Sequence, residues 1–392
     1  MRRPVSAFLI LTMAASALAT LTVGRAYAGG LRGTDVVNSQ LRHLDEIVAD
    51  VAPDMQLQFP EGEFFTWTMT GLAAVNLAEA GVDISANRAL LDRAVAATGA
   101  QEMAQRFGQQ EPLDHGAFYH GWRLLLLEQQ AQLSEDPDLV AAAAAEAQRI
   151  VSAIDASPDG LVTSYPGRSW PCDNVVAMAA VHRVSALRPV PGLAETTDRW
   201  LEKLEQHRDE STGLWVHESG GDLPRGSSQS IIQTFLPDIS AALAETQWQR
   251  YRSAFLVAAV GLIGFREYPI GQQGDGDVDS GPLLFGVSAS ASAVSLAAAR
   301  VNGDLAVATN LDREAELLGL TLPAFPGRSF ALGQLPIGDA FVAWARSVPV
   351  GSTTLSLSER PRPAWTLWIA LALAPGIIAA VIWCRGQASR RT

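Results

Sequence analysis

The phrase YPGRSWPCDN, residues 165–174, returns in shortened form as FPGRSF at residues 325–330, and a third variant, PRGSS, occupies residues 224–228. The two PGRS copies are three steps apart in a repeat of about 53 residues, a period typical of helical repeat architectures. One glycine marks the corresponding loop of each copy. These glycines are Gly62, Gly116, Gly167, Gly220, Gly276 and Gly327. The spacing predicts six copies of one structural unit.

Each copy consists of a charged helical pattern, a loop rich in Gly, Pro and Asp, and a helical pattern rich in Ala, Ser and Gly. The first helices are predicted at 34–51, 85–107, 136–155, 192–209, 245–266 and 304–319. The second helices are predicted at 64–80, 117–133, 173–187, 228–243, 283–300 and 338–348. A single helical hairpin cannot bury its own apolar stripe, so we expect six of them to close on one another.

The predicted fold is therefore all-α: an (α/α)6 toroid of six helical hairpins over residues 30–350, followed by a C-terminal transmembrane helix. No run of alternating β-branched residues favours a sheet. The apolar run SAFLVAAVGLIGF, residues 253–265, is too short to span a bilayer and is predicted to be a buried helix.

Both ends of the chain have membrane character. Residues 1–28 combine a basic tip, an apolar stretch and the small-residue pattern Ala26-Tyr27-Ala28, which predicts either a signal peptide or an uncleaved N-terminal anchor. Residues 364–384 contain about 20 apolar positions, enough to cross the hydrocarbon of a bilayer. We expect residues 351–363 to be a linker and 385–392 a cytoplasmic tail. The toroid would then be extracytoplasmic, on a chain that crosses the membrane once or twice.

Composition limits the partners and cofactors. The net charge of −12 argues against a nucleic-acid partner. Cys172 and Cys384 are the only cysteines, which excludes a disulfide framework. The run Asp275-Gly-Asp277-Val-Asp279 lacks the glycine and glutamate positions of an EF-hand. No zinc-ligand spacing occurs, so no metal and no cofactor is predicted. The oligomeric state stays open.

The loops between first and second helices hold most of the reactive side chains. Carboxylates and histidines perform general acid–base chemistry, and tryptophans offer flat surfaces to apolar or sugar rings. The candidate catalytic residues are His120, Asp173, Glu218 and Asp277. The candidate substrate-binding residues are Tyr119, Arg168, Trp170, Cys172, Asn174, Trp215, Arg225 and Asp279. Asp173 could instead cap its helix, and Arg168 and Arg328 could instead tie loops to the rim of the toroid.

Four of these segments resemble the linalool dehydratase/isomerase family over roughly residues 60–345. They are DHGAFYHGW (114–122), GLVTSYPGRSWPCDNVVA (160–177), GLWVHESGGDLPRGSSQS (213–230) and GDGDVDSG (274–281). The resemblance implies an (α/α)6 toroid with a catalytic histidine at His120. The family's activity uses two cysteines around the Asp–Asn pair, where this chain has Trp170 and Ala179, with Cys172 displaced. More distantly, the layout is similar to six-hairpin glycosidases and sugar epimerases.

Three functions follow as hypotheses. The first is a membrane-tethered lyase or hydrolase that performs acid–base chemistry on a small organic or sugar-like substrate. The second is a non-catalytic module that binds glycan or lipid precursors at the membrane. The third is a toroid whose loop residues only hold the fold closed.

Overall fold

The computed structural model describes residues 3–28, 31, 33–259, 262–319, 322–323, 327–330, 333–351 and 364–388. The described chain is mostly helical, with 15 α-helices and three two-stranded antiparallel ribbons. Nearly all of the predicted linker, 351–363, lies outside the described residues, as do positions 389–392 of the predicted tail.

The part of the described chain between residues 33 and 351 is called the body. The helices at the predicted first positions lie along its outside. They are α2 (Thr34–Gln58), α4 (Ile84–Thr98) with the short α5 (Gln101–Gln105), α7 (Pro137–Ala156), α9 (Leu193–Leu204), α11 (Ala241–Phe255) and α13 (Leu305–Leu318). In α9, for example, Thr196, Trp200 and Leu204 are buried at intervals of one turn while the charged residues between them face solvent.

The second helices are buried on most of their sides. They are α3 (Gly62–Glu79), α6 (Gly116–Ser134), α8 (Pro171–Leu187), α10 (Gly226–Phe235), α12 (Ala289–Val301) and α14 (Pro336–Ser347). Their small side chains permit this close packing. In α6, Gly121 lies so close to α8 that a β-carbon would be 2.9 Å from the backbone nitrogen of Ala177.

The six second helices contact one another in chain order, and the last contacts the first. α3 packs on α6, α6 on α8, α8 on α10, α10 on α12, α12 on α14, and α14 on α3. Aromatic side chains from four of them meet: Trp122 packs edge-on against Phe235, and Phe235 stacks on Trp344 with ring centroids 6.0 Å apart. Phe65 contacts Trp122 as well. Each helix thus buries its apolar face against neighbours on both sides.

The expected helix over 245–266 is wrong in its second half. α11 ends at Phe255, and the chain then forms the antiparallel ribbon β1 (Leu256–Ala259) and β2 (Leu262–Phe265). The apolar run 253–265 is therefore mostly a hairpin and not a buried helix. Its β-branched residues favour strands. Gly264 allows a close approach instead, since a β-carbon there would lie 2.6 Å from Cγ1 of Val287.

Two shorter ribbons also replace predicted helix or loop. β3 (Leu283–Leu284) and β4 (Val287–Ser288) are joined by a tight turn in which Phe285 and Gly286 both have positive φ, at 53° and 81°. β5 (Leu322–Pro323) pairs with β6 (Arg328–Ser329). Two single 3-10 turns, Glu205–His207 and Leu236–Asp238, follow α9 and α10, so the helix predicted at 228–243 ends early.

The remaining two helices are the terminal ones, α1 (Arg3–Ala28) and α15 (Trp365–Ala388), which pack on each other. Within them, Val5–Ala28 and Trp365–Arg385 are long and apolar enough to cross a membrane by length and composition. α15, as an apolar helix, can serve as a membrane anchor. The described side chains along both helices are mainly exposed outside their mutual contact.

Candidate functional site

The phrase that opened the sequence analysis forms a tight turn. Pro166 and Gly167 are its two central residues, Gly167 has a φ of 77°, and the N–H of Arg168 donates to the carbonyl of Tyr165 at 3.0 Å. Proline followed by a residue of positive φ is typical of a type II turn. The turn brings Tyr165 and Arg168 side by side at the start of α8.

Tyr165 links the third loop to the first. Its hydroxyl donates to Oε1 of Glu61, the residue that precedes α3, at 2.5 Å. Burial raises the pKa of Glu61, and the negative charge of Asp279 raises it further, although the hydrogen bond from Tyr165 opposes both. Glu61 therefore holds a proton more tightly than an ordinary glutamate.

Asp173 lies in the first turn of α8, and its helix is capped by Trp170, so Asp173 is not the N-cap residue. Its side chain is buried, with 6% of the residue exposed. Burial and the charges of Glu61 and Asp279 raise the pKa of Asp173 to about 7, against hydrogen bonds from Ser164 and Cys172 that favour the ionised form. A helix N-terminus also favours the anion, so burial and neighbouring charge outweigh it here.

Glu61, Asp173 and Asp279 together are called the carboxylate cluster below. They come from the first, third and fifth loops. Asp279 retains exposed surface, yet partial loss of solvent and the charge of Asp277 raise its pKa too. Because three like charges repel when close, the cluster holds protons at a pH where isolated carboxyls would have lost them.

A neutral histidine lies beside the cluster. Nε2 of His217 accepts a hydrogen bond from Nε1 of Trp170 at 3.3 Å, so Nδ1 carries the proton and donates to Oγ of Ser228 at 2.5 Å. Burial lowers the pKa of His217 to about 4, and the positive charge of Arg225 contributes. His217 thus orients Trp170 and does not hold a charge at neutral pH.

Cys172 is buried next to Asp173, and its thiol lies 3.7 Å from Oδ1 of that residue. Burial raises the pKa of the Cys172 thiol, and the charge of Asp173 adds to this effect. The thiol therefore stays protonated, and it can donate to the carboxylate but not act as a nucleophile.

Arg168 closes the outer side of the turn. Its guanidinium makes two hydrogen bonds to Glu218, both at 2.6 Å, and stacks over the ring of Trp170 at 4.6 Å. The hydrogen bonds from Arg168 lower the pKa of Glu218. Glu218 is therefore an ionised partner of an exposed arginine rather than a proton donor.

Asp277 is also paired. Arg225 bonds to Oδ2 of Asp277 at 2.5 Å and to Oε1 of Glu267 at 2.7 Å. We call these two carboxylates, joined by Arg225, the arginine-bridged pair. The hydrogen bond from Arg225 lowers the pKa of Asp277 to about 2, against the raising effect of its partial burial. Asp277 is thus held as an anion, although only Val278 separates it from Asp279 in the chain.

The structure places His120 away from these residues. Its ring contacts Glu146 on α7 and the backbone carbonyl of Asp114. Tyr119, its neighbour, donates to the carbonyl of Thr98 at 3.1 Å from within an aromatic core. Both side chains join α6 to the outer helices.

Two further candidates are bound into the fold. The side-chain amide of Asn174 donates to the carbonyl of Val162 at 3.0 Å and accepts from its N–H at 2.9 Å, which fixes the third loop. Trp215 is completely buried beneath Arg208. Of the other candidates, Asp173 and Asp279 belong to the carboxylate cluster. The thiol of Cys172 lies beside Asp173, the charge of Arg168 acts on Asp279, and Trp170 caps the helix that carries Asp173.

The second PGRS copy has a different environment. Phe325 and Pro326 lie outside the described residues, and Gly327 packs directly on the backbone of Ser39 in α2. Arg328 pairs with Glu316 of α13 at 2.7 Å. This copy therefore contacts both α2 and α13.

Within the described part of the chain, no group of three or more His, Cys, Asp or Glu side chains is arranged to hold a metal ion. A surface recess of about 490 Å³ lies between Arg208, Asp209 and Arg250, and it includes none of the residues of the carboxylate cluster. The cluster is better described as a group of side chains at the loop end of the body than as a deep cavity.

Neither a scan against protein-family models nor a search of curated proteins finds a match for this chain.

Three residues of the site were present among the polar loop residues without being chosen as candidates: Glu61, Tyr165 and His217. Their importance comes from contacts across loops, such as the one between Tyr165 and Glu61, that span about a hundred positions in the chain. Only the repeat period hints at them, since it places the first and third loops at equivalent positions.

Proposed function

We propose that this protein is a membrane-anchored enzyme that performs acid–base chemistry, as a lyase or hydrolase, at the carboxylate cluster. The observation that supports this most strongly is the buried carboxyl of Asp173, whose pKa of about 7 suits a group that gives and takes a proton near neutral pH. Burial raises the pKa of Glu128 to about 7 and that of Glu314 to about 8 as well. The shift of Asp173 supports a site because Asp173 also lies within reach of the charges of Glu61 and Asp279 from two other loops.

Each member of the site has a role in this proposal. Asp173 is the general acid and Glu61, oriented by the hydroxyl of Tyr165, is its partner base. Trp170, held by His217 and covered by Arg168, offers an indole face to the substrate. The negative charge of Asp279 raises the pKa of Glu61 and of Asp173. The candidates His120, Glu218 and Asp277 become structural residues in this assignment.

The proposal includes the (α/α)6 toroid as the fold. The chain-order contacts of the six second helices, with α14 returning to α3, support a closed arrangement. Contacts between the loops support one shared face: Tyr165 meets Glu61, the N–H of Ser219 donates to the carbonyl of Ser169, and the N–H of Gly226 donates to that of Glu267. The cluster would lie at the mouth of the ring.

Membrane attachment by α15 is part of the same proposal. The apolar span Trp365–Arg385 favours it, and Arg385 after the apolar core is consistent with a cytoplasmic C-terminus. The body would then face the extracytoplasmic side, where small organic or sugar-like substrates are available.

The test is a comparison of two chains. Wild-type protein and the Asp173→Asn variant, both full-length and in detergent, are incubated with extracts of membrane lipids and small metabolites that are then compared by mass spectrometry. Compounds consumed only by the wild type are expected, with turnover at least about 10²-fold slower in the variant, because a general acid contributes roughly 10²–10⁴-fold.

The matched control is Asp222→Asn, which changes an exposed aspartate of the fourth loop. It should behave as the wild type does. If Asp173→Asn consumes the same compounds at the same rate as the wild type, the catalytic role of Asp173 is refuted. Compounds that bind both proteins without conversion would support the alternative, a non-catalytic module for glycan or lipid precursors.

A further inference from the structure

The most exposed of the large apolar side chains described in the body belong to the segments at the end that carries the carboxylate cluster, whereas Ile84, Leu305 and Val350 elsewhere in the body are less exposed, at 40–47%. Leu57 is 85% exposed in the last turn of α2, and Phe285 and Leu284 are 71% and 66% exposed at the turn between β3 and β4. Ile270 and Val278 lie in the same connection between β2 and α12, and Leu318 ends α13. Such a concentration of exposed apolar groups on a soluble surface indicates an interaction.

The direction of α15 identifies the partner. Nε1 of Trp365 donates to Oδ1 of Asn310 at 3.4 Å. A small cluster of Val23, Ala26, Leu262 and Trp365 is packed by Ala372, two turns further along α15, and by Leu317, two turns further along α13. These contacts favour a course of α15 in the direction of α13, which would bring α15 out of the body at the end where α13 finishes.

The length of α15 strengthens this point. From Leu373 to Arg385 the helix rises only roughly 20 Å, whereas the hydrocarbon of a bilayer is about 30 Å thick. A bilayer that covers the whole span Trp365–Arg385 must therefore reach the part of α15 that packs on the body. The apolar end of the body is then at the depth of the lipid headgroups.

We propose that the face carrying the carboxylate cluster rests on the bilayer, and that its substrate is the polar head of an amphiphile held in the adjoining leaflet. This rests on the proposed function for the nature of the chemistry, but the contact with lipid stands on the apolar side chains and on α15 alone. Leu284 and Phe285 would insert among the lipids, and Trp170 would meet the headgroup.

The test measures membrane contact separately from catalysis. In a Cys384→Ser background, where Cys172 is buried, Leu284→Cys is labelled with an environment-sensitive fluorophore, and the full chain is reconstituted into phosphatidylcholine vesicles. The matched control is Ile84→Cys, which is also exposed but begins α4 at the opposite end of the body. Vesicles containing spin-labelled lipid are expected to quench the label at position 284 at least twofold more than the label at 84.

Equal quenching at both positions, or none at position 284, would overturn the orientation. The same measurement on Leu284→Cys combined with Asp173→Asn should give unchanged quenching, since lipid contact does not require catalysis. Quenching at 284 together with conversion of water-soluble compounds only would refute the amphiphile as substrate while leaving the acid–base proposal in place.

A separate observation concerns the N-terminal helix. The hydroxyl of Ser16 in α1 donates to the carbonyl of Ala372, and the N–H of Gly376 donates to Oγ of Ser16 at 3.0 Å. In an uninterrupted α-helix, the N–H of Gly376 would bond directly to the carbonyl of Ala372. Ser16 is thus inserted into the hydrogen-bond ladder of α15 beside Pro375, where the ladder already lacks one donor.

The two helices are in close contact along this stretch. A β-carbon on Gly376 would lie 2.6 Å from Oγ of Ser16, so a larger residue would push the helices apart. At the other end, Tyr27 contacts Trp365 with ring centroids 6.0 Å apart, and the guanidinium of Arg313 lies over Tyr27 at 5.3 Å. Ala26, part of the predicted cleavage pattern, is buried within α1.

We infer that α1 is retained as a second transmembrane helix, and that Ser16 satisfies the backbone of α15 inside the membrane. Intact-mass measurement of the chain extracted from membranes should show residues 1–28 still present. A mature chain that begins at Gly29 would overturn the inference.

Variants test the contact itself. Ser16→Leu and Gly376→Val should each lower the thermal unfolding temperature in detergent by several degrees. The control Thr22→Val, whose hydroxyl bonds only within α1 to the carbonyl of Leu18, should leave it unchanged. Equal effects of Ser16→Leu and Thr22→Val would refute the role of Ser16.

Discussion

The carboxylate cluster and the arginine-bridged pair meet in the fifth loop, but the pKa values of their acids are shifted in opposite directions. Asp279 belongs to the first and Asp277 to the second, although a single residue separates them. Burial and like charge raise the pKa of Asp173 to about 7, whereas the guanidinium of Arg225 lowers that of Asp277 to about 2. Arg225 therefore keeps Asp277 ionised, whereas Asp173 can exchange a proton near neutral pH.

The comparison teaches that loop acidity alone does not identify a catalytic group. Glu218 and Asp277 are as polar as Asp173 in the sequence, but each is neutralised by an arginine. Within the described part of the chain, Asp173 makes no ion pair, and it is more buried than either of them. Burying an acid without a counter-ion lowers the stability of the fold. Such an acid is therefore expected mainly where its proton takes part in a reaction.

The largest structural effect is expected for Arg225→Met. Glu267 is completely buried, so loss of its partner leaves a charge without compensation, which costs roughly 3–5 kcal/mol of unfolding free energy. Thermal unfolding followed by circular dichroism measures the change. Arg225→Lys, which keeps the charge, should recover part of it. A variant Arg225→Met as stable as the wild type would show that the bridge does not hold Glu267.

The second prediction concerns Asp173→Asn, which should raise the free energy of unfolding at pH 8, whereas Arg225→Met should lower the free energy of unfolding. The folded state binds the proton of Asp173 more tightly than the unfolded chain does, so the stability of the wild type falls as pH rises from about 4 to about 7. At pH 8 the amide should therefore stabilise the protein, by at most about 4 kcal/mol at 1.36 kcal/mol per pKa unit.

The pH dependence separates this effect from simple repacking. At pH 4, where Asp173 is protonated in the native protein, wild type and Asp173→Asn should unfold at nearly the same temperature. A stability difference that is equal at pH 4 and pH 8 would show that the Asp173 carboxyl does not titrate between them.

The third prediction sharpens the comparison inside the carboxylate cluster. Tyr165→Phe removes the hydrogen bond that lowers the pKa of Glu61, so that pKa should rise. A hydrogen bond to a charged group contributes about 1.5–3 kcal/mol, so the acidic limb of the activity profile should move upward by about one pH unit or more. If the Tyr165→Phe variant keeps the pH profile of the wild type, Glu61 has no part in the proposed mechanism.

The smallest effect is expected for Glu218→Gln. Arg168 keeps 58% of its side chain exposed, and an ion pair of this kind contributes only about 0–1 kcal/mol. Unfolding temperature should change little, and the change should vanish in high salt because exposed charges are screened. A loss comparable to that of Arg225→Met would mean that Glu218 has a role beyond its exposed pair.

Much of the helical framework could be predicted from periodicity and composition. The start of α13 follows directly from Asp304, and the apolar terminal spans follow from length. α8 starts at Pro171, two residues before the predicted start at 173. The ribbon after Phe255 could not be predicted, because a short apolar run has the same composition in a buried helix and in a strand pair. Gly264 was a local feature that indicated close packing at this ribbon.

The site could be predicted only in part, because proton affinity depends on which side chains meet. The sequence makes Asp173 a candidate as one of several loop carboxylates, and the structure adds what the sequence lacks: burial of Asp173 within reach of the charges of two other carboxyls. Two copies of PGRS look equivalent in the sequence, but Arg168 pairs with Glu218 at the loop end while Arg328 pairs with Glu316 on an outer helix. Such differences arise from tertiary contacts.

The central claim, that Asp173 keeps its proton close to neutral pH, is tested most directly by infrared difference titration of the full chain. We expect a part of the protonated-carboxyl band seen at pH 6 to disappear around pH 7, and this part to be missing in Asp173→Asn and kept in Asp277→Asn. Glu128 and Glu314, whose pKa burial raises to about 7 and about 8, contribute to the band in all three chains. A spectrum in which Asp173→Asn removes no part of the band at pH 6, so that Asp173 is already ionised there, would contradict the account.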